Sequence, residues 1–288
     1  MAQVINTNVM SLNSQRALGK SSMSMQTSLE RLSSGLRINR AKDDAAGLAI
    51  SERFTSQIRG LDQAVRNAND GISLLQTAEG ALGEIENSLQ RMRELAVQAK
   101  NGTYNTSDRA SLNDEFQALK SEITRITDVT EFNNINLLGQ ASGISLQVGW
   151  ENGTNNVITV SVMDVRTESH GSGGIANALS ASVRIGGAST GSAGVAQISA
   201  AMTQLTNAID AISNLRADFG AKQNRLESAV RNMDNVIENQ SAARSRVLDA
   251  DFARETANLT RTQILQQAGT AMLAQANSLP QNVLSLLR

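Results

Sequence analysis

Few residues of this sequence have types and spacings that could support chemistry. Asp43 and Asp44 are adjacent carboxylates, but a single pair is a weak metal-ligand set, and capping of a helix N-terminus is the favoured interpretation. His170 stands in a Gly/Ser-rich stretch without an acidic or hydroxyl partner at motif spacing. Residues 171–174 lack the Lys-Ser/Thr of a phosphate-binding loop, and cysteine is absent. The sequence therefore predicts no catalytic, cofactor or metal site, and we do not expect an enzyme.

The composition also argues against nucleic-acid and membrane partners. The 288 residues carry a net charge of -1, so no global field attracts a polyanion. No stretch approaches the roughly 20 consecutive apolar residues that cross a bilayer. Residues 1–20 have no basic region ahead of an apolar one, as a Sec-type signal peptide would. We expect no nucleic-acid binding, no membrane insertion and, if the protein leaves the cell, export by another route.

Apolar residues at seven-residue spacing predict long helices. One such run covers 44–100 and ends at Asn101-Gly102, and a second covers 195–247. A shorter helix is predicted over 104–129. The repeating positions of the two long runs are Phe54, Leu61, Ala68, Leu75, Leu82, Leu89 and Ala96, then Ile198, Leu205, Ile212, Phe219, Leu226 and Met233. Helices of this length are elements of a rod.

The remaining segments have other patterns. Residues 144–162 contain two β-rich runs around Asn152-Gly153, which predicts a hairpin. Residues 166–194 are rich in Gly, Ser and Ala and lack periodicity, which indicates a short surface region. An Ala-rich helix is predicted over 251–279, ending at Pro280.

Both ends of the chain carry apolar residues with too little else to form a core of their own. These positions are Val9, Leu12, Leu29, Leu32, Leu259, Ile264, Leu273 and Leu286. The ends could pair within one chain as a coiled coil, or they could stay disordered in the monomer and fold against neighbouring copies. The second alternative is favoured, because a pair of helices still exposes apolar surface on its outer faces. Copies joined by contacts that do not close would form a helical filament.

Together these patterns predict a mainly α fold. The element order pairs the first with the last and the second with the second-last, as in a chain that runs out along a rod and back. We therefore expect a long antiparallel helical rod or coiled-coil bundle with a small β-hairpin region. Its domains would be discontinuous, formed by pairing N- and C-terminal segments.

Long stretches at both ends resemble one protein family. The N-terminal part contains INTNVMSLNSQRAL, SLERLSSGLRINRAKDDAAGLAISERF and QRMRELAVQAKNGT. The C-terminal part contains SRVLDADFARETANLTRTQILQQAGTAMLAQANSLPQNVLSLLR. These stretches resemble bacterial flagellin, the subunit of the flagellar filament, over roughly residues 1–140 and 195–288. The middle, about 165–194, falls outside the resemblance; this region varies in length in the family, and here it is of the short type.

The resemblance implies a secreted, extracellular structural protein that polymerises with copies of itself into the flagellum for motility. Residues 1–43 and 248–288 would form the inner tube, as helices that are disordered in the monomer and coiled in the filament. Residues 44–165 and 195–247 would form the outer layer, and 166–194 a short variable surface region. Export would follow the flagellar type III route. The further partners would be an export chaperone, the filament cap and the hook–filament junction proteins.

The resemblance also assigns roles to two groups of residues. The first is a joint between the inner tube and the outer layer that is also a subunit contact: Gly35, Arg37, Arg40, Lys42, Asp43 and Asp44. Gly35 allows a helix to end, and both signs of charge suit the dipoles of the neighbouring helix termini. The second group matches the pattern that host Toll-like receptor 5 recognises on flagellin monomers: Gln90, Arg91, Leu95, Gln98 and Glu115. These five residues could also serve as filament contacts.

Two rival interpretations stand beside the filament subunit. The hook–filament junction protein shares this architecture and the terminal assembly segments, although its middle is usually longer and its ends match the quoted stretches less well. A coiled-coil effector or translocator of the same export machinery would need a membrane-active apolar segment, and the sequence contains none. The filament subunit is the favoured function.

Overall fold

The computed structural model describes residues 7–139, 142–162, 164–165, 174–180, 183–186 and 192–286. Its helices are α1 (Val9–Ser34), α2 (Ala45–Lys100), α3 (Thr106–Val129), α4 (Gly174–Ala178), α5 (Ser192–Leu248) and α6 (Phe252–Leu286). Its strands are β1 (Glu131–Phe132), β2 (Ile135–Asn136), β3 (Ser142–Gln147) and β4 (Val157–Val162). The predicted mainly α fold with a small β-hairpin region is confirmed. None of these helices offers an apolar stretch long enough to cross a membrane.

The long helices follow from the heptad pattern. The predicted helices over 44–100, 104–129 and 195–247 agree with α2, α3 and α5 to within a turn at each end. α3 begins with a capping box, in which the Asn105 side chain accepts from the Asp108 N–H at 2.8 Å and the Asp108 carboxylate accepts from the Asn105 N–H at 3.1 Å. Reciprocal caps of this kind fix where a helix begins.

Two hairpins follow α3. β1 and β2 pair antiparallel through a turn at Asn133 and Asn134, whose φ angles of 50° and 61° suit the left-handed turns of tight hairpins. The sequence analysis missed this hairpin. The predicted hairpin over 144–162 is confirmed as β3–β4, but Asn152-Gly153 lies inside a longer connection. The N–H of Val148 donates to the carbonyl of Asn156 at 2.7 Å and closes that connection.

The predicted end of the last helix at Pro280 is wrong, because α6 continues to Leu286. A proline has no N–H to donate to the carbonyl four residues earlier, which here belongs to Ala276. The side-chain amide of Asn8 donates to that carbonyl at 2.7 Å. The carbonyl that proline would leave unpaired therefore has a partner from α1, and the helix passes through residue 280.

The chain divides into two compact units. The smaller unit combines Met1–Ile58 with Glu238–Arg288, and the larger unit is Arg59–Ile237. Each end of the chain is thus in the same unit as the other end. The sequence placed the corresponding boundaries at residues 43 and 248, whereas the compact units divide within α2 and α5.

The larger unit has an extensive apolar core. From Leu61 to Ala96 on α2 and from Ile198 to Met233 on α5, the predicted heptad positions are buried. α2 and α5 run antiparallel, because Arg216 contacts Glu86 at 2.5 Å and Gln223 donates to Glu79 at 3.0 Å. α3 completes the core with its buried aromatic and aliphatic side chains, Phe116 and Ile123.

Parts of the predicted variable region pack on α3. The Lys120 ammonium donates to the carbonyl of Ser180 at 2.6 Å, and burial lowers the pKa of that lysine. The Asn113 side chain accepts from the backbone N–H of Ile185 at 3.2 Å, and Ile185 is buried. These parts of 166–194 contribute to the core, while His170 lies outside the described residues.

Candidate functional site

The candidate functional site is the pair of helices at the ends of the chain. The Ser11 hydroxyl donates to the Asn277 side chain at 2.8 Å, and the Ser28 hydroxyl donates to the Glu255 carboxylate at 3.1 Å. The N-terminal end of α1 therefore contacts the C-terminal end of α6, and the C-terminal end of α1 contacts the N-terminal end of α6. The two helices pack antiparallel along their length.

The most deeply buried side chains of the contact between α1 and α6 are mostly polar. They are Ser11, Ser28, Glu255, Thr262 and Ala276. The Glu255 side chain is 8% exposed and forms an ion pair with Arg31 at 3.0 Å. A cleft of about 370 Å³ lies beside this pair and is lined by further hydroxyl and amide side chains, including Asn258. Polar seams of this kind favour one register but contribute little hydrophobic stabilisation.

Nine large apolar side chains of this pair are instead exposed to solvent. Exposure ranges from 49% at Leu29 to 68% at Val9. The exposed set is Val9, Met10, Leu12, Met23, Leu29, Phe252, Ile264, Leu265 and Met272, which we call the terminal apolar surface. Nine large apolar side chains that stay exposed on one pair of helices indicate an interaction site.

Eight positions were predicted for terminal assembly, and they fall into three groups. Val9, Leu12, Leu29 and Ile264 belong to the terminal apolar surface. A second group, half-buried at the edges of the α1–α6 contact, comprises Leu32, Leu259 and Leu273. The side chain of Leu286 lies outside the described residues, although α6 includes this position. Sequence reasoning missed Met10, Phe252 and Met272, which lie outside the apolar positions that it selected at the two ends.

The joint between α1 and α2 is held by backbone hydrogen bonds. Gly35 ends α1 with φ 72°, and its N–H donates to the carbonyl of Arg31 at 2.9 Å. The Gly35 carbonyl accepts from Ala250 at 2.9 Å, and the Arg37 N–H donates to Leu248 at 2.7 Å. The Arg37 guanidinium also donates to the carbonyl of Val247 at 2.6 Å. The joint is therefore tied to the segment that connects α5 with α6.

Charged residues of the joint cap its turns. The Asp43 carboxylate accepts from the backbone N–H groups of Arg40 and Asn39 at 3.0 and 3.2 Å. The hydrogen bond from Arg40 is the main reason that the pKa of Asp43 is lowered. The Asp44 carboxylate accepts from the Gly47 N–H at 2.8 Å and caps α2. The Arg40 guanidinium pairs with Glu30 at 2.5 Å, which raises the pKa of Arg40.

Two observations complete the joint. Ile38 is 3% exposed and packs so closely on Gly47 that a Cβ there would lie 2.7 Å from the Ile38 side chain. Lys42 is exposed. In the described part of the chain no cluster of three potential metal-ligating side chains occurs. The carboxylates of Asp43 and Asp44 accept from backbone N–H groups of a turn and of the first turn of α2, respectively.

The five residues that the resemblance assigns to receptor recognition lie on α2 and α3 of the larger unit. The Arg91 guanidinium contacts Glu115 at 2.9 Å and Glu94 at 3.0 Å, and these carboxylates raise the pKa of Arg91. Gln90 and Gln98 are exposed on the same helix.

Leu95, the fifth member of that group, is fully buried in the core, so it supports this surface from beneath rather than forming part of it. The 53%-exposed Val97 is an apolar side chain of α2 that the sequence analysis did not single out.

Comparison with known families matches both ends of the chain at once. The bacterial flagellin N-terminal helical region matches residues 5–142, and the bacterial flagellin C-terminal helical region matches residues 202–287. The chain belongs to the bacterial flagellin family. Flagellins polymerise into the flagellar filament, which lies outside the cell. This flagellin is therefore a self-associating structural subunit and not an enzyme.

Similar proteins cover the whole flagellin chain. A flagellin of Halalkalibacterium halodurans is 50% identical over 286 residues, covering 99% of this chain and 100% of the relative. Flagellin 1 of Proteus mirabilis is 41% identical over 365 aligned positions, covering 100% of both chains. A flagellin of 288 residues fits the short type that the sequence predicts.

A solved structure shares the fold. It is described as a flagellar hook-associated protein of Vibrio parahaemolyticus, and it aligns with a TM-score of 0.61 over 72% of this chain and 100% of the other. At 12% identity the similarity concerns the fold alone. The identity to flagellins over the full chain places the protein with the filament subunits rather than with the hook–filament junction proteins.

Proposed function

We propose that this flagellin polymerises through the terminal apolar surface of α1 and α6, which forms the inner tube of the filament. The observation that carries the proposal is that the most buried side chains between these helices are mostly polar, while nine large apolar side chains are exposed. Neighbouring copies that cover this surface remove large side chains from water, which the monomer cannot do alone. The joint, residues 35–44, then connects the inner tube to the outer layer and contacts neighbouring subunits.

The same helix pair suits export in an unfolded or partly folded state. Its seam contributes little hydrophobic stabilisation, so separating α1 from α6 requires little energy. We propose export through the flagellar type III route, with a chaperone that covers the C-terminal helix before secretion. The filament cap and the hook–filament junction proteins would then receive the subunit through the same terminal surface.

Seeded polymerisation tests the assembly proposal. Purified monomer is mixed with filament seeds or a precipitating salt, and electron microscopy and circular dichroism follow filaments and helix content. Ile264→Asp should raise the critical concentration by roughly tenfold or more, because a charge would enter an apolar contact. Gln263→Asp is the matched control on an exposed polar neighbour and should polymerise normally. Equal critical concentrations for the two variants would contradict the proposed surface.

We further propose that host Toll-like receptor 5 recognises the monomer through Arg91, Glu115, Gln90 and Gln98. An arginine held by two carboxylates on a rigid helix is a suitable anchor for a partner, and Arg is frequent at binding hot spots. In this arrangement Leu95 holds the helix surface in place from the core.

A reporter-cell assay with monomeric protein tests receptor recognition. Arg91→Ala should weaken signalling by about tenfold or more, as expected for a hot-spot residue. Arg125→Ala removes a comparable exposed ion pair with Glu122 on α3 and is the control that should signal normally. Unchanged signalling by the Arg91 variant would exclude Arg91 from the recognition surface.

A further inference from the structure

Some methionines of this flagellin are exposed to solvent and others are buried. The chain has nine methionines and no cysteine. Met10, Met23 and Met272 are 61%, 67% and 61% exposed, and all three belong to the terminal apolar surface. In the core of the larger unit, Met92 is fully buried and Met233 is 5% exposed. Among the described residues, the thioethers most accessible to a dissolved reagent are therefore on the surface that assembly should cover.

Thioethers react with two-electron oxidants such as hydrogen peroxide. The sulfur lone pair attacks one peroxide oxygen, the O–O bond breaks, and proton transfer releases water while the sulfur keeps one oxygen as a sulfoxide. The sulfur loses two electrons and the peroxide gains them. The product replaces a flexible apolar side chain with a polar one. No other component is required for the reaction.

We propose that Met10, Met23 and Met272 are an oxidation-sensitive site that controls whether a free subunit can join the filament. Peroxide converts them to sulfoxides in the free subunit, and the polar oxygens then oppose burial against a neighbouring copy. In the filament the same side chains are covered, so assembled subunits resist the reagent. The inference rests on the proposed use of the terminal apolar surface in polymerisation.

Seeded polymerisation after peroxide treatment tests this site. Full-length monomer is treated with hydrogen peroxide, freed of the reagent, mapped by peptide mass spectrometry and mixed with untreated seeds. Oxidation should reach Met10, Met23 and Met272 before Met92 and Met233. The critical concentration should rise roughly tenfold, as expected when unpaired polar groups enter a contact. Methionine sulfoxide reductases A and B with a dithiol should restore the original value.

Two variants separate this site from general damage. The triple variant M10L/M23L/M272L keeps apolar side chains but has no thioether at these positions, so peroxide treatment should not change its own critical concentration. The variant M92L/M233L changes two buried thioethers and should stay as sensitive as the unmodified sequence. If the triple variant polymerises poorly without peroxide, reductase rescue of the unmodified sequence decides the question.

The outcomes that overturn the inference differ from those that overturn the assembly proposal. Oxidised protein with an unchanged critical concentration, loss of polymerisation in the treated triple variant, or failure of reductase rescue each exclude these methionines as the sensitive site. A normal critical concentration for Ile264→Asp, by contrast, would contradict the proposal that this surface is used in assembly. Filaments whose methionines oxidise as fast as those of the monomer would show that assembly leaves them uncovered.

Discussion

Single polar residues determine how α1 meets α6. Glu255 accepts hydrogen bonds from Ser28 and Arg31 while its side chain is nearly inaccessible to water. A buried ion pair gains little net stability, since desolvation offsets the attraction, but loss of one partner leaves the other uncompensated. The network therefore disfavours other registers of the two helices more than it strengthens this one. The pairing of α1 with α6 is therefore specific in register but adds little to the free energy of unfolding.

The joint should respond to acid through Asp43. Hydrogen bonds from Arg40 and Asn39 lower its pKa, so the folded state binds fewer protons than the unfolded state near that pKa. Its contribution to stability is present above the ordinary carboxylate value of about 4 and is lost as the pH falls through the lower folded value. Hydrogen exchange in peptides covering residues 36–48 should accelerate, after correction for intrinsic rates, on going from about pH 6 to about pH 3.

Two variants check that Asp43 causes this response. Asp43→Asn cannot change charge, so the acceleration of exchange in the joint between these pH values should be much smaller. Glu52→Gln removes an exposed carboxylate on α2 and should leave the response intact. The same acceleration in the Asp43 variant would assign the effect to another group.

The sequence predicted some residues of the joint and seam and missed others for a physical reason. Capping by Asp44 and a helix end at Gly35 are local effects, visible in residue type and position. Burial of Ser28 and Glu255 depends on which face of a helix distant in sequence they contact. The spacing of apolar residues carries no information about that contact. Whether a leucine such as Leu95 faces the core or a partner likewise depends on the neighbouring helices.

At the scale of elements, α1 ends because Gly35 adopts a left-handed conformation. Gly35→Ala should destabilise the joint by about 1 kcal/mol, since a Cβ is strained at positive φ. No atom lies within 4 Å of the added Cβ, so the cost comes from the backbone alone. In seeded polymerisation this corresponds to a critical concentration about fivefold higher.

A second substitution at the same position distinguishes backbone strain from other causes. Asn tolerates the left-handed region better than Ala, so Gly35→Asn should polymerise closer to the unmodified protein. An Ala variant that assembles as well as the Asn variant would show that the conformation of Gly35 does not limit assembly.

The elements also show what periodicity can and cannot establish. Seven-residue spacing located α2 and α5 because their apolar faces pack over many turns. The same reasoning ended α6 too early, since the proline rule counts the lost N–H but cannot foresee an amide from Asn8 at the freed carbonyl. The hairpin of β1 and β2 was missed because its strands have two residues each, too few for an alternation pattern.

At the scale of the whole molecule, the two compact units differ in the kind of side chain that each one buries. The larger unit buries a continuous set of aliphatic and aromatic side chains from α2, α3 and α5. In the smaller unit, the α1–α6 contact buries mainly hydroxyl and carboxylate groups, and large apolar residues remain outside. Apolar burial is the main stabilising contribution in water, so the two units should open at very different free energies.

Hydrogen exchange of the monomer and the filament should resolve this difference. In the monomer, amides of α1 and α6 should exchange at least about a hundredfold faster than those of α3 and of α2 between residues 61 and 96. In the filament, α1 and α6 should gain protection because neighbouring copies cover the terminal apolar surface, while the core changes little. Ile264→Asp monomer, mixed with seeds below its critical concentration, should keep the fast exchange and serves as the control. Strong protection of α1 and α6 in the free monomer would mean that the helix pair is stable without neighbours, and assembly would then join preformed helices rather than order them.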